Sequence, residues 1–345
     1  MKIAFYDTKP YDKIWFDVMA REYGYEIKYF DFKLNAETAS LAGGYDVVCI
    51  FVNDNADRET LDILHKNGVG LLSLRCAGYN NVDFKSAYKK IHITRVPEYS
   101  PASVAEHAAA LLLTLNRKTH RAYSRTRENN FNINGLIGMD LSGKTAGIIG
   151  TGKIGRVFIE ICRGFGMNVL AFDPYPANDL DVTYVGLEEL LQKSDVISLH
   201  CPLTPETRYL INRDNLEKVK PHAIIINTSR GALIDTSALI EALKSRKIGG
   251  AGLDVYEEES EYFFEDLSDV IIEDDELSRL LTFPNVILTS HQAFFTEEAM
   301  REIALVTMEN IKAFGVGLPL ENEICYKCEE PCGKKGDAGK SGKCF

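Results

Sequence analysis

The sequence predicts an α/β protein built of two doubly wound parallel-sheet lobes, and three observations carry that prediction. Short β-branched runs alternate with amphipathic helical patterns along nearly the whole chain. Near its middle a glycine turn, Gly150-Thr151-Gly152-Lys153-Ile154-Gly155, separates one such run from one such helix. The chain has 345 residues, more than one ordinary core holds, which suits two domains.

In the first lobe, apolar runs of strand length fall at 3–6, 27–30, 47–51, 70–74 and 92–96. Helical patterns at 11–23, 57–67 and 83–89 lie between them, the alternation of a parallel sheet with crossover helices. Pro97 and Pro101 bracket a turn at 98–100, a natural hinge. A long apolar helix is expected from 102 to about 125, with A-A-A-L-L-L at its centre. Its small residues suit close packing against another helix or a second subunit.

The second lobe opens with the run 146–149, which stops at the glycine turn. A helical pattern follows in Val157, Ile159, Ile161, Cys162 and Phe165, then a second run at 169–172 that ends on Asp173. Strand, glycine turn, helix, strand and acid stand in the register of a dinucleotide site, with the acid about twenty residues past the glycines. Gly150 permits the tight turn, Gly152 lets backbone approach a pyrophosphate, and Gly155 lets helix and strand pack closely. The helix start presents free N–H groups and partial positive charge to the phosphates. Asp173 can accept from both ribose hydroxyls and repels a 2′-phosphate, so NAD is expected rather than NADP. The second lobe is therefore read as a Rossmann dinucleotide-binding domain.

Further strands are expected at 182–185, 195–201, 223–228, 250–255 and 285–289, with helices at 187–193, 213–219 and 236–246. Asp235 suits the N-cap of the last of these helices. A final amphipathic helix, 296–314, should return to the first lobe, because the second sheet is complete without it. The expected division is 1–101 plus 297–323 for a substrate domain and 102–296 for the NAD domain. Residues 324–345 are expected to form a flexible cysteine-containing tail.

Composition narrows the function. A net charge of −11 excludes a nucleic-acid partner, which wants a basic face. No apolar run approaches the roughly twenty residues of a membrane span, and the start of the chain has no signal-peptide core. Cys49, Cys76, Cys162 and Cys201 sit in core-like runs and read as reduced small hydrophobes, which fits the cytoplasm. Cys325, Cys328 and Cys332 follow a C-x2-C-x3-C spacing, with Cys344 beyond. That spacing admits zinc, an iron–sulfur cluster or a redox role, but the Gly/Lys-rich surroundings offer no apolar pattern to fold, so no metal is assigned.

Ligands of doubly wound sheets bind outside the carboxyl ends of the strands. Three polar residues follow late strands of the second lobe: Arg230 after I-I-I-N-T-S, Glu259 after G-L-D-V-Y-E-E, and His291 after V-I-L-T-S. An Arg fork holds a carboxylate bidentately and polarises a neighbouring carbonyl. A His passes a proton to or from an oxygen near neutrality, and a carboxylate beside it fixes its tautomer and favours imidazolium. Together they supply what reversible hydride transfer at a 2-oxo acid requires. The remaining acids between 257 and 281 read as a solvated surface excursion.

Read as a set, N-T-S-R-G-A-L-I-D, G-L-D-V-Y-E-E-E and T-S-H-Q-A-F-F-T closely resemble the D-isomer-specific 2-hydroxyacid dehydrogenases. Within that family the chain looks most like the fermentative bacterial D-lactate dehydrogenases. The stretches L-R-C-A-G-Y-N-N-V-D (74–83), R-V-P-E-Y-S-P-A-S-V-A-E-H (95–107), G-T-G-K-I-G (150–155), A-F-D-P-Y-P (171–176) and S-L-H-C-P-L-T-P-E-T (198–207) also match, so the resemblance runs from the start to about Glu323.

The resemblance implies His291 as proton donor, Glu259 as its partner and Arg230 as the anchor of the substrate carboxylate. It implies NAD contacts at Lys153, Ile154, Asp173, Cys201, Pro202, Thr207, Thr228, Ser229 and Asp254. It places a second carboxylate hold at the backbone N–H groups of Ala77 and Gly78, and a pocket wall at Tyr99, Phe294 and Phe51. His200 reads as structural, and His107 as packed or hydrogen-bonded. The implied reaction is reduction of pyruvate to D-lactate by NADH in a homodimer or homotetramer. The alternatives are a bulkier 2-oxo acid, such as phenylpyruvate or 2-oxoisocaproate, and an NADH-sensing binding protein of the same fold.

Overall fold

The computed structural model describes residues 1–324 and 326, so the tail cysteines Cys325, Cys328, Cys332 and Cys344 lie outside the described residues. The chain divides into two units. The first comprises Met1–Ser100 and the chain from Thr296 onward, and the second Pro101–Phe295.

The first unit holds five strands: β1 (Lys2–Phe5), β2 (Glu26–Tyr29), β3 (Val47–Ile50), β4 (Leu71–Leu74) and β5 (His92–Thr94). All pair in parallel, in the order β2-β1-β3-β4-β5. Both β3 and β4 are buried at every position, which is why they read as unbroken apolar runs rather than alternating ones. The first helix, Pro10–Tyr23, starts with Pro at its first position, where a missing N–H costs nothing. Asp12 accepts from the Lys9 N–H at 2.9 Å, and Gly24 ends the helix in a left-handed turn at φ 69°.

The helix Glu297–Gly315 packs against Pro10–Tyr23 and β4. At Gly70 an added Cβ would lie 2.6 Å from the Phe314 ring, so only glycine lets that helix seat.

Strand order in this sheet reverses between β1 and β3, and a buried cluster of charge sits at the carboxyl edge there. Arg75, immediately after β4, is 2% exposed. Its Nη2 donates to the Asp7 carbonyl at 2.7 Å and lies 3.6 Å from Asp12 Oδ2. Its guanidinium stacks over Phe5 at 4.4 Å and Phe51 at 4.9 Å. Asp54 accepts from the Leu34 and Phe51 N–H groups at 2.5 and 2.6 Å. Burial pushes its carboxyl up to about 7, with Arg75 pulling the other way.

The second unit holds seven strands: β6 (Thr145–Ile149), β7 (Asn168–Phe172), β8 (Thr183–Tyr184), β9 (Val196–Leu199), β10 (Ile224–Asn227), β11 (Gly250–Leu253) and β12 (Val286–Leu288). They form one parallel sheet in the order β12-β11-β10-β9-β6-β7-β8. Strands β9 to β12 stop one or two residues earlier than the apolar runs predict, because the chain leaves the ladder there to build loops.

Two expectations need correction. The helix expected from 102 to about 125 is two helices, Pro101–Arg117 and Thr119–Arg127, broken at Lys118, whose φ of 51° is left-handed. Its small residues are used inside the unit: Ala105, Ala108 and Ala109 are buried where the first of these helices meets Lys153–Gly164. They therefore give no argument for a second subunit. The acidic stretch is also not all surface excursion. Asp274 accepts from the Glu276 and Leu277 N–H groups, both at 2.9 Å, and caps a helix, Asp275–Thr282, that buries Leu277 and Leu280.

Candidate active site

The glycine turn is built as its spacing requires. Gly150 has φ 95°, and an added Cβ would lie 2.6 Å from the His200 carbonyl oxygen. At Gly155 a Cβ would meet the Gly150 carbonyl oxygen at 2.1 Å. At Gly152 it would meet nothing within 4 Å, so the surface at that helix start is open. Gly152 is the N-cap, and Lys153, Ile154 and Gly155 form the first turn of the helix Lys153–Gly164.

Asp173 ends the neighbouring strand. Its Oδ2 accepts from the Thr151 N–H at 2.8 Å and from Thr151 Oγ1 at 2.9 Å, and its Oδ1 from the Tyr175 N–H at 2.9 Å. Burial pushes this carboxyl up, but the bonds from Thr151 and Tyr175 outweigh it and hold it below the usual carboxylate range. It is an anion at neutral pH with acceptor capacity left for hydroxyls.

The loop after β9 carries Cys201 and Pro202. Thr207 closes it by donating from Oγ1 to the Pro202 carbonyl at 2.7 Å. Burial pushes the Cys201 thiol up to about 11, so it is no nucleophile. His200 is buried against Phe158, with ring centroids 5.0 Å apart, and its Nε2 meets Ser198 Oγ at 2.9 Å. Its place is structural, as the sequence led one to expect.

Three neighbouring strands, β10, β11 and β12, deliver the remaining groups. After β10, Asn227 shapes the loop: its Nδ2 donates to the Arg230 carbonyl at 2.8 Å and its Oδ1 accepts from the Ser229 N–H at 3.0 Å. Ser229 Oγ donates to the Leu199 carbonyl at 2.9 Å. At Gly231 a Cβ would lie 2.1 Å from the Tyr256 carbonyl carbon, so only glycine lets the loop after β10 touch the loop after β11. Thr228 is 7% exposed, and its Oγ1 has no hydrogen-bond partner among the described residues. At this strand end such a hydroxyl is able to bond to a ligand.

His291 follows β12 with φ 52°, a strained conformation for a residue with a Cβ. Its Nδ1 lies 2.6 Å from Glu259 Oε1, and the other Glu259 oxygen accepts from the Tyr256 N–H at 2.9 Å. The pair therefore fixes the ring, with Nδ1 toward the carboxylate and Nε2 left for chemistry. The Phe264 ring lies alongside, 6.0 Å between centroids.

Asp254 holds this geometry from beneath. It is fully buried, and its carbonyl accepts from the His291 N–H at 2.7 Å. Its carboxylate accepts from Thr289 Oγ1 at 2.5 Å, the Gln292 N–H at 2.9 Å and the Ala293 N–H at 2.8 Å. His107 Nε2 adds a contact at 3.3 Å. Burial pushes this carboxyl up, yet the bonds from His107, Thr289 and Ala293 hold it low. The sequence placed Asp254 and His107 apart, and no local signal marks their meeting.

Ala77 and Gly78 lie on the partly open loop after β4, and Tyr99 is half-buried. Phe51 is 7% exposed and stacked on Arg75, so the core takes up most of its ring. In the second unit Phe294 is 7% exposed and edge-on to Phe295 at 6.0 Å.

The glycine cradle, the anionic Asp173 and the orphaned Thr228 hydroxyl fit a dinucleotide. Comparison with known proteins agrees. Residues 109–293 match the family described as D-isomer specific 2-hydroxyacid dehydrogenase, NAD binding domain. A D-lactate dehydrogenase of Escherichia coli is 51% identical over 94% of this chain and 100% of its own length. A 2-hydroxyacid dehydrogenase homolog of Haemophilus influenzae is 52% identical over 94% of this chain and 99% of its own. Among solved structures, the pyruvate reductase of Chlamydomonas reinhardtii superposes with a TM-score of 0.89 at 41% identity, covering 93% of this chain and 98% of that one.

Proposed function

This chain belongs to the D-isomer specific 2-hydroxyacid dehydrogenases, an NAD-dependent family, and from that premise we propose that it reduces pyruvate to D-lactate. The observation that carries the reading is the 2.6 Å contact of His291 Nδ1 with Glu259 Oε1, on loops that leave β12 and β11, the second and first strands beyond β10, which delivers Arg230.

NADH, when bound, supplies the hydride that reduces C2. Gly150, Gly152 and the N–H groups opening the helix at Lys153 would hold its pyrophosphate and Asp173 its adenosine ribose, with the loop of Cys201, Pro202 and Thr207 beneath it and Thr228 and Asp254 nearer its nicotinamide. Arg230 grips the substrate carboxylate with two parallel donors and draws electron density from the adjoining carbonyl. His291 gives its Nε2 proton to the carbonyl oxygen as negative charge builds there. Glu259 keeps Nδ1 protonated, so the proton lost comes from Nε2, and stabilises the ring while it is cationic. The N–H groups of Ala77 and Gly78 add a second hold on the carboxylate. Tyr99 and Phe294 bound the substituent at C2. In reverse, the same His accepts the hydroxyl proton of D-lactate.

The test is NADH oxidation with pyruvate, followed by chiral analysis of the lactate. L-lactate, or no turnover, would reject the proposal. A panel including phenylpyruvate and 2-oxoisocaproate, compared by kcat/KM, separates pyruvate from bulkier 2-oxo acids.

We further propose a cytoplasmic homo-oligomer. Cys49, Cys162 and Cys201 form no disulfide among the described residues. The segment after Thr119–Arg127 exposes Phe131, Ile133 and Ile137 at 74%, 79% and 85%. Light scattering on the purified protein reads the subunit count, and a monomer mass rejects that part.

A further inference from the structure

The loop proposed to hold the substrate carboxylate through Ala77 and Gly78 is itself clamped from behind. The Cys76 carbonyl accepts from the Val96 N–H at 3.2 Å, and the Ala77 carbonyl accepts from Arg95 Nη1 at 2.9 Å. Two successive carbonyls are thus turned to the same neighbouring segment, 95–96. No peptide bond among the described residues is cis, so each of these carbonyls points away from the N–H of the next residue. Those two N–H groups, of Ala77 and Gly78, are therefore turned to the opposite side together. A pair of successive N–H groups facing one way is a ready anion cradle.

Arg95 does more than fill a hydrogen bond. A cation on the carbonyl polarises the Ala77–Gly78 peptide and makes the Gly78 N–H a stronger donor. Its guanidinium is held in place by stacking on Tyr79 at 4.9 Å, and Tyr79 in turn packs edge-on to Phe84 at 5.5 Å. Its backbone is fixed as well. The Arg95 carbonyl accepts from Asn310 Nδ2 at 3.0 Å, and Asn322 Nδ2 donates to Asn310 Oδ1 at 2.9 Å. The Arg95 N–H donates to the Asn322 carbonyl at 3.2 Å. A third clamp, from Cys76 Sγ to the Gly78 carbonyl at 3.2 Å, closes the turn.

We infer that Arg95 is a positioning residue that aims and polarises the Gly78 N–H toward the substrate carboxylate, so that it sets affinity for the acid group without touching the substrate. The inference rests on the reading of Ala77 and Gly78 as a carboxylate hold.

The test compares pyruvate with methyl pyruvate, which keeps the ketone and lacks the carboxylate charge, in the wild type, Arg95→Met and Arg95→Lys. NADH affinity is measured alongside by fluorescence titration. The expected result for Arg95→Met is a KM for pyruvate raised about tenfold, about the loss of one charge-assisted hydrogen bond. Its kcat/KM for methyl pyruvate and its NADH affinity should stay as in the wild type. Arg95→Lys keeps the charge and the stem and should recover part of the loss. It also serves alone, with a smaller selective loss, if the Met variant fails to fold. An unchanged KM for pyruvate in both variants, or an equal loss on both substrates, overturns the role of Arg95. A wild type that does not prefer pyruvate to its ester overturns the carboxylate hold itself.

Discussion

The carboxyl edges of the two parallel sheets treat charge in opposite ways. In the first unit Arg75 is 2% exposed; its Nη2 donates to the Asp7 carbonyl and lies 3.6 Å from Asp12, its Nη1 has no hydrogen-bond partner among the described residues, and Asp54 is buried beside them. In the second unit the side chains of His291 and Glu259 keep 19% and 21% of their surface, and Arg230 is also half-buried. Charge sealed against its partners contributes to folding and is lost to chemistry. Charge paired on one side and open on the other is oriented yet still available. The same topology thus yields a structural edge and, in the function proposed above, a reactive edge.

The sharpest way to break this contrast is at His291. Substitution by Gln should lower kcat about 10³-fold, the worth of a positioned proton donor, with NADH affinity unchanged in a fluorescence titration. Activity near the wild-type level would remove His291 from the reaction. Arg75→Met should do the reverse. It leaves buried carboxylates without their cation and should cost about 3–4 kcal/mol of stability in chemical denaturation, with NADH affinity intact. A variant as stable as the parent would mean that the cluster is not structural. Arg230→Gln should raise KM for pyruvate about thirtyfold, near 2 kcal/mol, and leave the melting temperature in place.

A further effect concerns pH. The Asp54 carboxyl is raised to about 7 in the fold, against about 3.9 in an unfolded chain. The folded state therefore binds this proton more tightly, and its stabilising contribution is complete below about pH 4 and fades as pH rises to about 7. Asp54→Asn should flatten that part of the melting-temperature profile. His200 slopes the other way. Burial holds it down to about 3, so stability is lost as pH falls below about 6.5. An unaltered profile in Asp54→Asn would show that Asp54 stays ionised.

The reactive edge was more legible in sequence than the structural one. The glycine turn and Asp173 could be read because backbone geometry dictates their spacing. Arg230, Glu259 and His291 could be read because each ends an apolar run. Arg75 also ends an apolar run, yet nothing local says that three distant aspartates would bury it. Asp254 and His107 are 147 positions apart in the chain, and only the folded sheet brings them to 3.3 Å. The break at Lys118 was hidden because lysine suits a helix and its left-handed φ leaves no residue signature. The helix Asp275–Thr282 was masked by charge, although its two buried leucines stand at helical spacing.

The return of Glu297–Gly315 to the opening sheet has a consequence during synthesis. Strands β1 to β5 leave the ribosome with the face that this helix covers still bare. It stays bare while all of Pro101–Phe295 is translated, roughly 10–40 s at typical elongation rates. The second unit, an uninterrupted stretch, can close first. Met1–Ser100 then exposes an apolar face of the kind chaperones bind until its last helix arrives.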